Sequence, residues 1–409
     1  MPEGNNSTAG YLARKIRSSN IEIRNKLELT NRRNHRNETQ QVELFRISLP
    51  LTFGIVSIFG FRISSFRPIR AIRVTCRAVA SAEADPRIIN GLKNNEEVRQ
   101  FRYIPSVKLL LIDGHYYVYR SFFAIQNLSN SRGEPTNAIY GFTKTVRRML
   151  KDLRPEYGAV VWDEGLPQRR TELQPAYKET RKEMPQPMVP QLDFIQKLTP
   201  SLGFRNISLP NTEADDLIGC YAVAAGQRGW EVVLATNDKD LFQLVNPNVK
   251  IYTTAKADLV SPKDAFALLG EAEVIAKWNV PPQQIGDVLA IAGDSVDNIP
   301  GAGIGRKAAA ALIREHGGLE ALLNNLDQVK NQRSRDKLLA ARGQILQNRK
   351  MVELECSTEL PVSLDALRIT PDYPALLEAL EKCEFKSLLQ EVRDEASKAG
   401  TARQSEFLL

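Results

Sequence analysis

Cysteine and histidine are scarce in this chain of 409 residues, which has four cysteines and three histidines. No two cysteines form a CxxC pair, so the sequence argues against zinc sites and against a disulfide framework. A reducing interior compartment fits this cysteine usage best. Long apolar runs are also missing. The stretch from Ile47 to Phe61 is interrupted by Ser48 and Pro50 and, at 15 residues, is too short to span a membrane. We therefore expect no membrane association.

Acidic residues are absent from positions 44–82, and the charge of the chain is unevenly distributed. Residues 1–90 hold 15 Lys/Arg and 7 Asp/Glu, whereas the remaining residues hold 40 and 41. The basic surplus therefore lies in the first part of the chain. The overall net charge of +7 says nothing about nucleic-acid binding by the rest.

The first 85 residues do not read as a folded domain. Their Arg- and Ser-rich composition predicts an organelle-targeting leader. Val74-Thr-Cys76 loosely resembles a chloroplast processing site, so a chloroplast is slightly favoured over a mitochondrion. A disordered basic tail or a wrongly predicted first exon remain as alternatives, because acidic residues in the first 43 positions dilute the targeting pattern.

From position 107 onward, short apolar runs alternate with helical spacing. The runs at 107–112, 158–162 and 231–236 read as buried strands, and each is followed by an aspartate within two residues. Segments 138–153 and 210–226 between them read as helices. Strands that alternate with helices imply an α/β fold with a parallel sheet and helices on both faces. The aspartates should then meet at the carboxyl edge of that sheet.

Nine carboxylates lie in five short segments of this body. A packed cluster of anions needs compensation, either from Lys and Arg or from hard cations. Oxygen ligands without nearby His or Cys favour magnesium or manganese over zinc. Taken singly, each acid could be a turn residue, and the glutamate could cap a helix. The nine are Asp113, Asp163, Glu213, Asp215, Asp216, Asp238, Asp240, Asp294 and Asp297.

The motifs around these acids resemble a known family. From about residue 106 to 360 the chain is similar to the 5′-3′ exonuclease domain of bacterial DNA polymerase I, a member of the flap endonuclease family. The motifs occur in the order that the family has, and every acidic position expected of it is filled. They are Leu111–His115, Ser131–Pro135, Tyr140–Phe142, Tyr177–Arg181, Glu213–Asp216, Thr236–Asp240, Gly293–Asn298 and Ile299–Gly305.

The resemblance implies a domain layout. Residues 103–275 are expected to form a PIN-like, resolvase-like catalytic domain, and 276–360 an all-α helix–hairpin–helix (H3TH) DNA-binding subdomain. Residues 361–409 form a C-terminal tail, in which the segment from Tyr373 to Val392 resembles the stretch that joins nuclease to polymerase in the bacterial enzyme. We expect a stand-alone, monomeric nuclease without its own polymerase. Whether the tail binds an organellar DNA polymerase is left open.

The resemblance also assigns the metal ligands. Asp113, Asp163, Glu213 and Asp215 are expected to hold a first ion and Asp238, Asp240, Asp294 and Asp297 a second, with Asp216 close to both. The implied ions are two Mg²⁺, which Mn²⁺ can replace, and a K⁺ at the helix–hairpin–helix. Such a pair of ions can act on both sides of a phosphodiester, so that neither a histidine base nor a covalent serine is needed.

Basic residues predict where DNA binds. Without the nine acids the body has 40 basic and 32 acidic residues, which suits a polyanion. In the resembled family the segment between Asp163 and Val189 forms an arch over the 5′ single strand. The glycine-rich stretch after Asp297 grips duplex DNA. A solvated loop and a tight turn are the plain alternatives for these two segments. The expected DNA contacts are Arg120, Arg170, Tyr177, Lys178, Arg181, Gly301, Gly303, Gly305 and Lys307.

The function predicted from the sequence is a 5′-3′ exonuclease or structure-specific 5′ flap endonuclease. Its substrates would be DNA with 5′ ends, flaps or nicks, or RNA–DNA primers, in organellar replication or repair. Two other classes remain. A catalytically silent DNA-structure-binding scaffold would be signalled by a missing aspartate, and a PIN-like ribonuclease by the lack of a helix–hairpin–helix.

Overall fold

The computed structural model describes residues 107–254 and 266–406, together with three short strands nearer the amino terminus. These strands are β1 (Arg46–Ser48), β2 (Ile58–Phe61) and β3 (Val74–Cys76), and they form an antiparallel sheet in that order. Apart from them, the leader predicted over residues 1–85 lies outside the described residues. Within the described part of the chain, no helix is long and apolar enough to cross a membrane.

A six-stranded sheet forms the centre of the body. Its order is β6-β5-β4-β7-β8-β9, and all neighbours are parallel except β8 and β9. The predicted parallel sheet is therefore confirmed for five strands, and the sixth strand is an antiparallel edge. Only residues 255–265 separate β8 from β9, fewer than a crossover between parallel strands needs. The strands are β4 (Lys108–Asp113), β5 (Tyr157–Val161), β6 (Arg205–Ile207), β7 (Glu231–Ala235), β8 (Val249–Thr254) and β9 (Phe266–Leu269).

Both faces of the sheet are covered, as the apolar runs predict. In β4, Leu109 and Leu111 face one core, and Leu110 and Ile112 face the other. All four side chains are fully buried. A central strand buried on both faces reads as a continuous apolar run, which is why the sequence reveals it. The helices of this domain are α1 (Gly114–Ala124), α2 (Asn137–Leu153), α3 (Gln168–Leu173), α4 (Val189–Leu198) and α5 (Ala214–Gln227).

A helical unit follows the sheet and shares its first core, in which Val288 and Ile313 pack with residues of β4 and α5. Asn348 is fully buried and donates hydrogen bonds to the carbonyls of Ala290 (2.9 Å) and Pro300 (2.7 Å). These bonds hold the hairpin 293–305 against the helix before it. The helices are α6 (Glu271–Trp278), α7 (Ile285–Ala292), α8 (Arg306–His316), α9 (Leu319–Asn324), α10 (Gln332–Ala340) and α11 (Arg342–Met351).

The last two helices, α12 (Tyr373–Lys382) and α13 (Lys386–Glu406), return to the sheet domain. Leu380 and Val392 are fully buried in the second core, beside residues of α2 and β4. Glu384, between the two helices, accepts a hydrogen bond from the Ser131 amide at 2.9 Å. The tail is thus packed into the body. Residues beyond 360 contribute to the stability of the catalytic half.

Candidate active site

The carboxyl edge of the sheet carries the predicted acids. Asp113 is the last residue of β4, Asp163 lies two residues beyond β5, and Asp238 lies three residues beyond β7. Burial, together with the charges of Asp238, Asp113 and Asp163, raises the pKa of Asp215 in the first turn of α5. The remaining acids share this edge through the contacts described below. The structure therefore brings carboxylates from all five sequence segments into one neighbourhood.

Asp113 is fixed from two sides. One carboxylate oxygen accepts the amide of Tyr116 at 3.0 Å and so caps α1, and the other accepts the hydroxyl of Thr236 at 3.0 Å. Burial raises the pKa of Asp113 to about 7. The nearby charges of Asp163 and Asp238 act in the same direction, and the two hydrogen bonds only partly offset them. This carboxylate is costly to ionise unless a cation is close.

Asp238 and Asp240 are placed by a tight turn after β7. The Asp240 amide donates to Oδ1 of Asp238 at 2.8 Å, and a short 3₁₀ helix, Asp240–Leu244, begins there. Burial raises the pKa of both carboxyls, and the charge of Asp297 adds to the shift in each. Oδ1 of Asp240 is buried and has no hydrogen-bond partner among the residues that the structure describes. A buried carboxylate oxygen without a partner is suited to bind a cation.

Asp163 behaves differently because it has partners. Its Oδ1 accepts the Ala214 amide at 2.9 Å, and its Oδ2 lies 3.1 Å from Nδ1 of His115. Burial acts to raise the pKa of Asp163. Four influences lower it: the hydrogen bond to His115, the charge of His115, the hydrogen bond from the Ala214 amide and the charge of Lys178. Together they outweigh burial and hold the pKa of Asp163 at about 2. Asp163 is therefore ionised at neutral pH.

Arg170 lies inside the carboxylate cluster, with only 5% of its surface exposed. Its guanidinium binds Asp216 through two nitrogens, at 2.7 and 2.9 Å, and also contacts Glu213. Its Nε donates to the carbonyl of Met351 at 3.0 Å. Glu213 occupies the residue before α5 without capping it, so the plain helix-cap interpretation is wrong. Arg170 was expected to contact DNA, but in this structure it neutralises two buried acids.

Two further cations of the predicted arch also bind acids. Lys178 contacts Glu213, and Arg181 binds Oδ1 of Asp297 at 2.6 Å. The hydroxyl of Tyr177 lies 3.1 Å from Glu213, and this tyrosine is buried. Burial and the charge of Glu213 raise its pKa well above the usual range, so Tyr177 donates the hydrogen bond. The arch segment is thus attached to the site by its basic residues.

The nine acids divide into two groups. Four of them form ion pairs with Lys or Arg, and these are Glu213, Asp216, Asp294 and Asp297. The partner of Asp294 is Lys239. Asp163 has His115. Among the described residues, no ion pair is found for the other four. These are Asp113, Asp215, Asp238 and Asp240.

Within the described ranges, no three Asp, Glu, His or Cys side chains already converge on one metal position. The donor set nevertheless suits a hard divalent cation. Its members are carboxylate oxygens, and burial and mutual repulsion raise the pKa of the four acids that lack a cation partner. The unpartnered oxygen of Asp240 belongs to this group. Divalent ions bound here would act as the counterions of these four carboxylates.

The three glycines predicted to bind DNA differ in the structural reason for which a glycine occupies each position. A Cβ on Gly301 would lie 2.0 Å from the carbonyl oxygen of Ala292, so this glycine allows the hairpin to pack on α7. Gly303 has φ of +68°, which disfavours other residues. A Cβ on Gly305, before α8, would meet open space, and Lys307 is exposed. All three glycines and Lys307 are exposed, so this face of the hairpin is free to approach a phosphate backbone.

Sequence reasoning missed two cations beside these motifs. Lys239 contacts Asp294, and its position between two predicted ligands was an available signal. Lys337 of α10 donates to the carbonyl of Gly303 at 2.5 Å, and no motif pointed to it. Arg120, predicted to steer a phosphate, lies half-buried on α1 with its guanidinium 5.4 Å from the centre of the Phe266 ring.

Comparisons with known proteins agree with this architecture. Residues 108–279 match the model of the 5′-3′ exonuclease N-terminal resolvase-like domain, and residues 280–375 match that of the 5′-3′ exonuclease C-terminal SAM fold. The chain is 36% identical over 286 residues to the 5′-3′ exonuclease of Aquifex aeolicus, which covers 69% of this chain and 94% of that protein. It is 39% identical over 289 residues to the thermostable DNA polymerase I of Thermus thermophilus. That match covers 70% of this chain but only about a third of the polymerase.

Solved structures show the same fold at lower identity. The 5′-exonuclease of bacteriophage T5 with bound divalent zinc ions aligns with a TM-score of 0.50 and 21% identity, covering 71% of this chain and 97% of that one. A complex of the bacteriophage T5 flap endonuclease with DNA and metal ions aligns with a TM-score of 0.51 and 20% identity, covering 71% and 99%. The resolvase-like sheet domain and the helical unit are therefore both present, and the chain belongs to the 5′-3′ exonuclease family of nucleases.

Proposed function

We propose that this protein hydrolyses phosphodiester bonds of DNA at or near 5′ ends, as a 5′-3′ exonuclease and structure-specific 5′ flap endonuclease, with two Mg²⁺ ions as cofactors. One observation carries the proposal. Four carboxylates, those of the buried Asp113 and of the half-buried Asp215, Asp238 and Asp240, meet at the carboxyl edge of the sheet without an ion-pair partner among the described residues. Such a cluster is costly in isolation and becomes favourable with divalent cations.

The nine acids would hold the ions. Asp113 would keep its orientation because the Tyr116 amide and the Thr236 hydroxyl fix both of its oxygens. Asp163 would remain ionised throughout, given its low pKa. When bound, divalent ions would supply positive charge that stabilises the developing phosphoryl charge and lowers the pKa of the attacking water. This chemistry requires neither a covalent nucleophile nor a histidine base.

Arch residues would position the substrate. Lys178 and Arg181 lie at the rim of the cluster, bound to Glu213 and Asp297. Once divalent ions take over those carboxylates, both cations become available to the phosphates of a 5′ single strand. Arg170 is buried and pairs with two acids, so we assign it to holding the cluster together. Lys307 and the exposed backbone near Gly305 would grip the duplex, where a bound K⁺ would also lie.

The activity can be tested with the purified full-length chain and Mg²⁺ on three 5′-labelled DNAs: a flapped duplex, a nicked duplex and a single strand. We expect short 5′ products or released flaps, and no cleavage in EDTA. Mn²⁺ should restore activity after chelation. Intact substrates at saturating Mg²⁺ and enzyme would contradict the proposal. The ratio of flap release to stepwise shortening separates the two activities.

We further propose that the protein acts in an organelle, where it removes RNA primers or flaps during DNA replication or repair. The Arg- and Ser-rich composition of residues 1–85 and the absence of acids from 44–82 support this proposal. A chloroplast is slightly favoured over a mitochondrion. An organellar DNA polymerase is the natural partner, because it produces the flaps that such a nuclease would remove. We expect the nuclease itself to be monomeric.

A further inference from the structure

Lys239 occupies an unusual place in the site. It lies between Asp238 and Asp240, immediately before the 3₁₀ helix that begins at Asp240. Its side chain contacts neither of its sequence neighbours in an ion pair. The ammonium group binds Oδ2 of Asp294 instead. About 29% of the lysine side chain is exposed, but only 7% of its partner.

Asp294 is held rigidly on the other side of this ion pair. Its Oδ1 accepts the amide of Val296 at 3.0 Å, and its backbone exchanges two hydrogen bonds with Ile299, at 2.8 and 2.7 Å. Lys239 therefore joins the edge of the catalytic sheet to the loop that begins the hairpin. The pair connects the part that would cut DNA with the part that would grip it.

The charge of Lys239 acts on three of the four acids expected to hold the second ion, which are Asp238, Asp240 and Asp294. Burial raises the pKa of Asp238 and Asp240, whereas the charge of Lys239 lowers both. Arg181 compensates Asp297 in the same group. Two built-in cations thus offset part of the charge of four carboxylates. No basic side chain is among the main influences on Asp113 and Asp215.

We propose that Lys239 is a resident counterion that weakens divalent-metal binding by Asp238, Asp240, Asp294 and Asp297, and that it leaves Asp294 when an ion binds there. An ammonium group and a divalent ion compete for the same oxygens and repel each other at short range. The ion position formed by these four acids is therefore the one that Lys239 weakens. This inference rests on the proposed metal-dependent function.

Titration of the full-length protein with Mn²⁺, followed by the EPR signal of free Mn²⁺, tests the inference without any cleavage. Lys239→Met keeps the side-chain length and removes the charge. We expect the weaker class of Mn²⁺ sites to tighten by about tenfold or more, because a cation at contact distance is lost. Lys250→Met is the matched control, since Lys250 pairs with Glu231 on the sheet, at 3.2 Å, with 35% of its side chain exposed. It should bind Mn²⁺ like the wild type.

Lys239→Arg separates charge from shape, because it retains the cation and should leave the isotherm unchanged. An unchanged or weaker isotherm for Lys239→Met, or equal tightening by Lys239→Arg, would overturn the inference. If Lys239→Met fails to fold, the inference can be tested in the wild type by measuring how readily each lysine is acylated. Mass spectrometry should show Lys239 more reactive with Mn²⁺ than without it, and Lys250 unchanged. Equal reactivity of Lys239 in both states would refute its release. A wild-type protein that binds no Mn²⁺ would instead contradict the proposed function itself.

Discussion

Arg170 grips Asp216 with two nitrogens of its guanidinium, at 2.7 and 2.9 Å, in the interior of the candidate active site. The same oxygen that accepts at 2.9 Å also accepts the amide of Glu355, at 2.9 Å. The pair therefore ties the arch segment, α5 and the chain after α11 together. An arginine from a segment expected to cover DNA is thus part of the structural support of the metal site.

Replacing Arg170 with Ala should destabilise the metal-free protein by about 3–5 kcal/mol, because Asp216 would remain buried without a counterion and Glu213 would keep only Lys178. Chemical denaturation in EDTA measures the loss. Arg170→Lys should recover only part of the stability, since lysine cannot form the two-nitrogen contact. The control is Arg228→Ala, which removes the exposed pair with Asp365 and should cost about 1 kcal/mol or less. Equal stability of Arg170→Ala and wild type would contradict this role.

The metal-free protein should lose stability as pH rises from about 4 to about 7. In the folded protein the pKa of Asp113 is about 7, above its ordinary value of 3.8, so between these values the folded state binds more protons than the unfolded state. The loss from this group is at most about 4 kcal/mol, at roughly 1.4 kcal/mol for each pKa unit. Asp215 and Asp240 shift in the same direction.

Thermal melts in EDTA across this pH range test the expectation. Asp113→Asn should flatten the pH dependence, and saturating Mn²⁺ should abolish it in the wild type. The exposed Asp193→Asn should melt like the wild type at each pH. A melting temperature that rises steadily from pH 4.5 to 7.5 in EDTA would show that the carboxylates are not destabilising one another.

Strands β4, β5 and β7 and the acids that follow them could be predicted from the sequence, because each of these strands is an apolar run followed by an aspartate within three residues. Strands β6 and β8 lack this signal and were not predicted. The direction of individual basic side chains could not. Arg169 and Arg170 are neighbours in a helix of six residues that has no apolar spacing, yet only Arg170 turns inward. Helix α3 is too short for its pattern to indicate which face is buried.

The hairpin shows the same limit. Its glycines were interpreted together as sites where backbone approaches phosphate. Gly301 is required by packing against Ala292, and Gly303 by its positive φ. Both requirements depend on tertiary geometry that a GxGxG pattern does not contain. The antiparallel edge strand β9 was missed for a similar reason, because a four-residue run carries little periodicity.

Substitutions in the arch segment should lower the cleavage rate, whereas substitutions in the hairpin should lower the affinity for DNA. Replacing Lys178 and Arg181 with Ala should lower the single-turnover cleavage rate by about 100-fold at saturating enzyme, because a misplacement of about 1 Å in the scissile strand suffices for such a loss. Affinity for duplex DNA should change little. Lys307→Ala should instead weaken binding to all sequences alike and reduce the salt slope by about one. Flap-DNA titrations at several salt concentrations, followed by rapid-quench cleavage, separate the two effects.

Lys382→Ala, on the exposed surface of α12, is the control for lost positive charge and should affect neither quantity. Gly303→Val should bind worse than Lys307→Ala, because valine is strained at a φ of +68°. If the arch variant loses mainly duplex affinity while Lys307→Ala loses only rate at saturation, the two roles are reversed.

The proposed targeting role of residues 1–85 can be tested separately. A fluorescent protein fused behind residues 1–85 should accumulate in chloroplasts or mitochondria. A fusion whose arginines in 62–77 are replaced by glutamate should remain outside, because transit peptides are basic and poor in acids. Fluorescence microscopy with organelle markers gives the answer. A diffuse cytosolic or purely nuclear signal from the unmodified leader would contradict organellar targeting.

The central claim is that unpaired carboxylates at the sheet edge bind the ions that cleave DNA. Its most direct test is single-turnover cleavage of a 5′-labelled flap by Asp215→Asn at saturating Mg²⁺ and enzyme, with flap-DNA affinity measured in parallel. The account predicts that cleavage is abolished while affinity stays close to that of the wild type, because a metal ligand is lost and the basic surfaces remain. The metal-free variant should also melt at the same or a higher temperature. Near-normal turnover by Asp215→Asn would contradict the account.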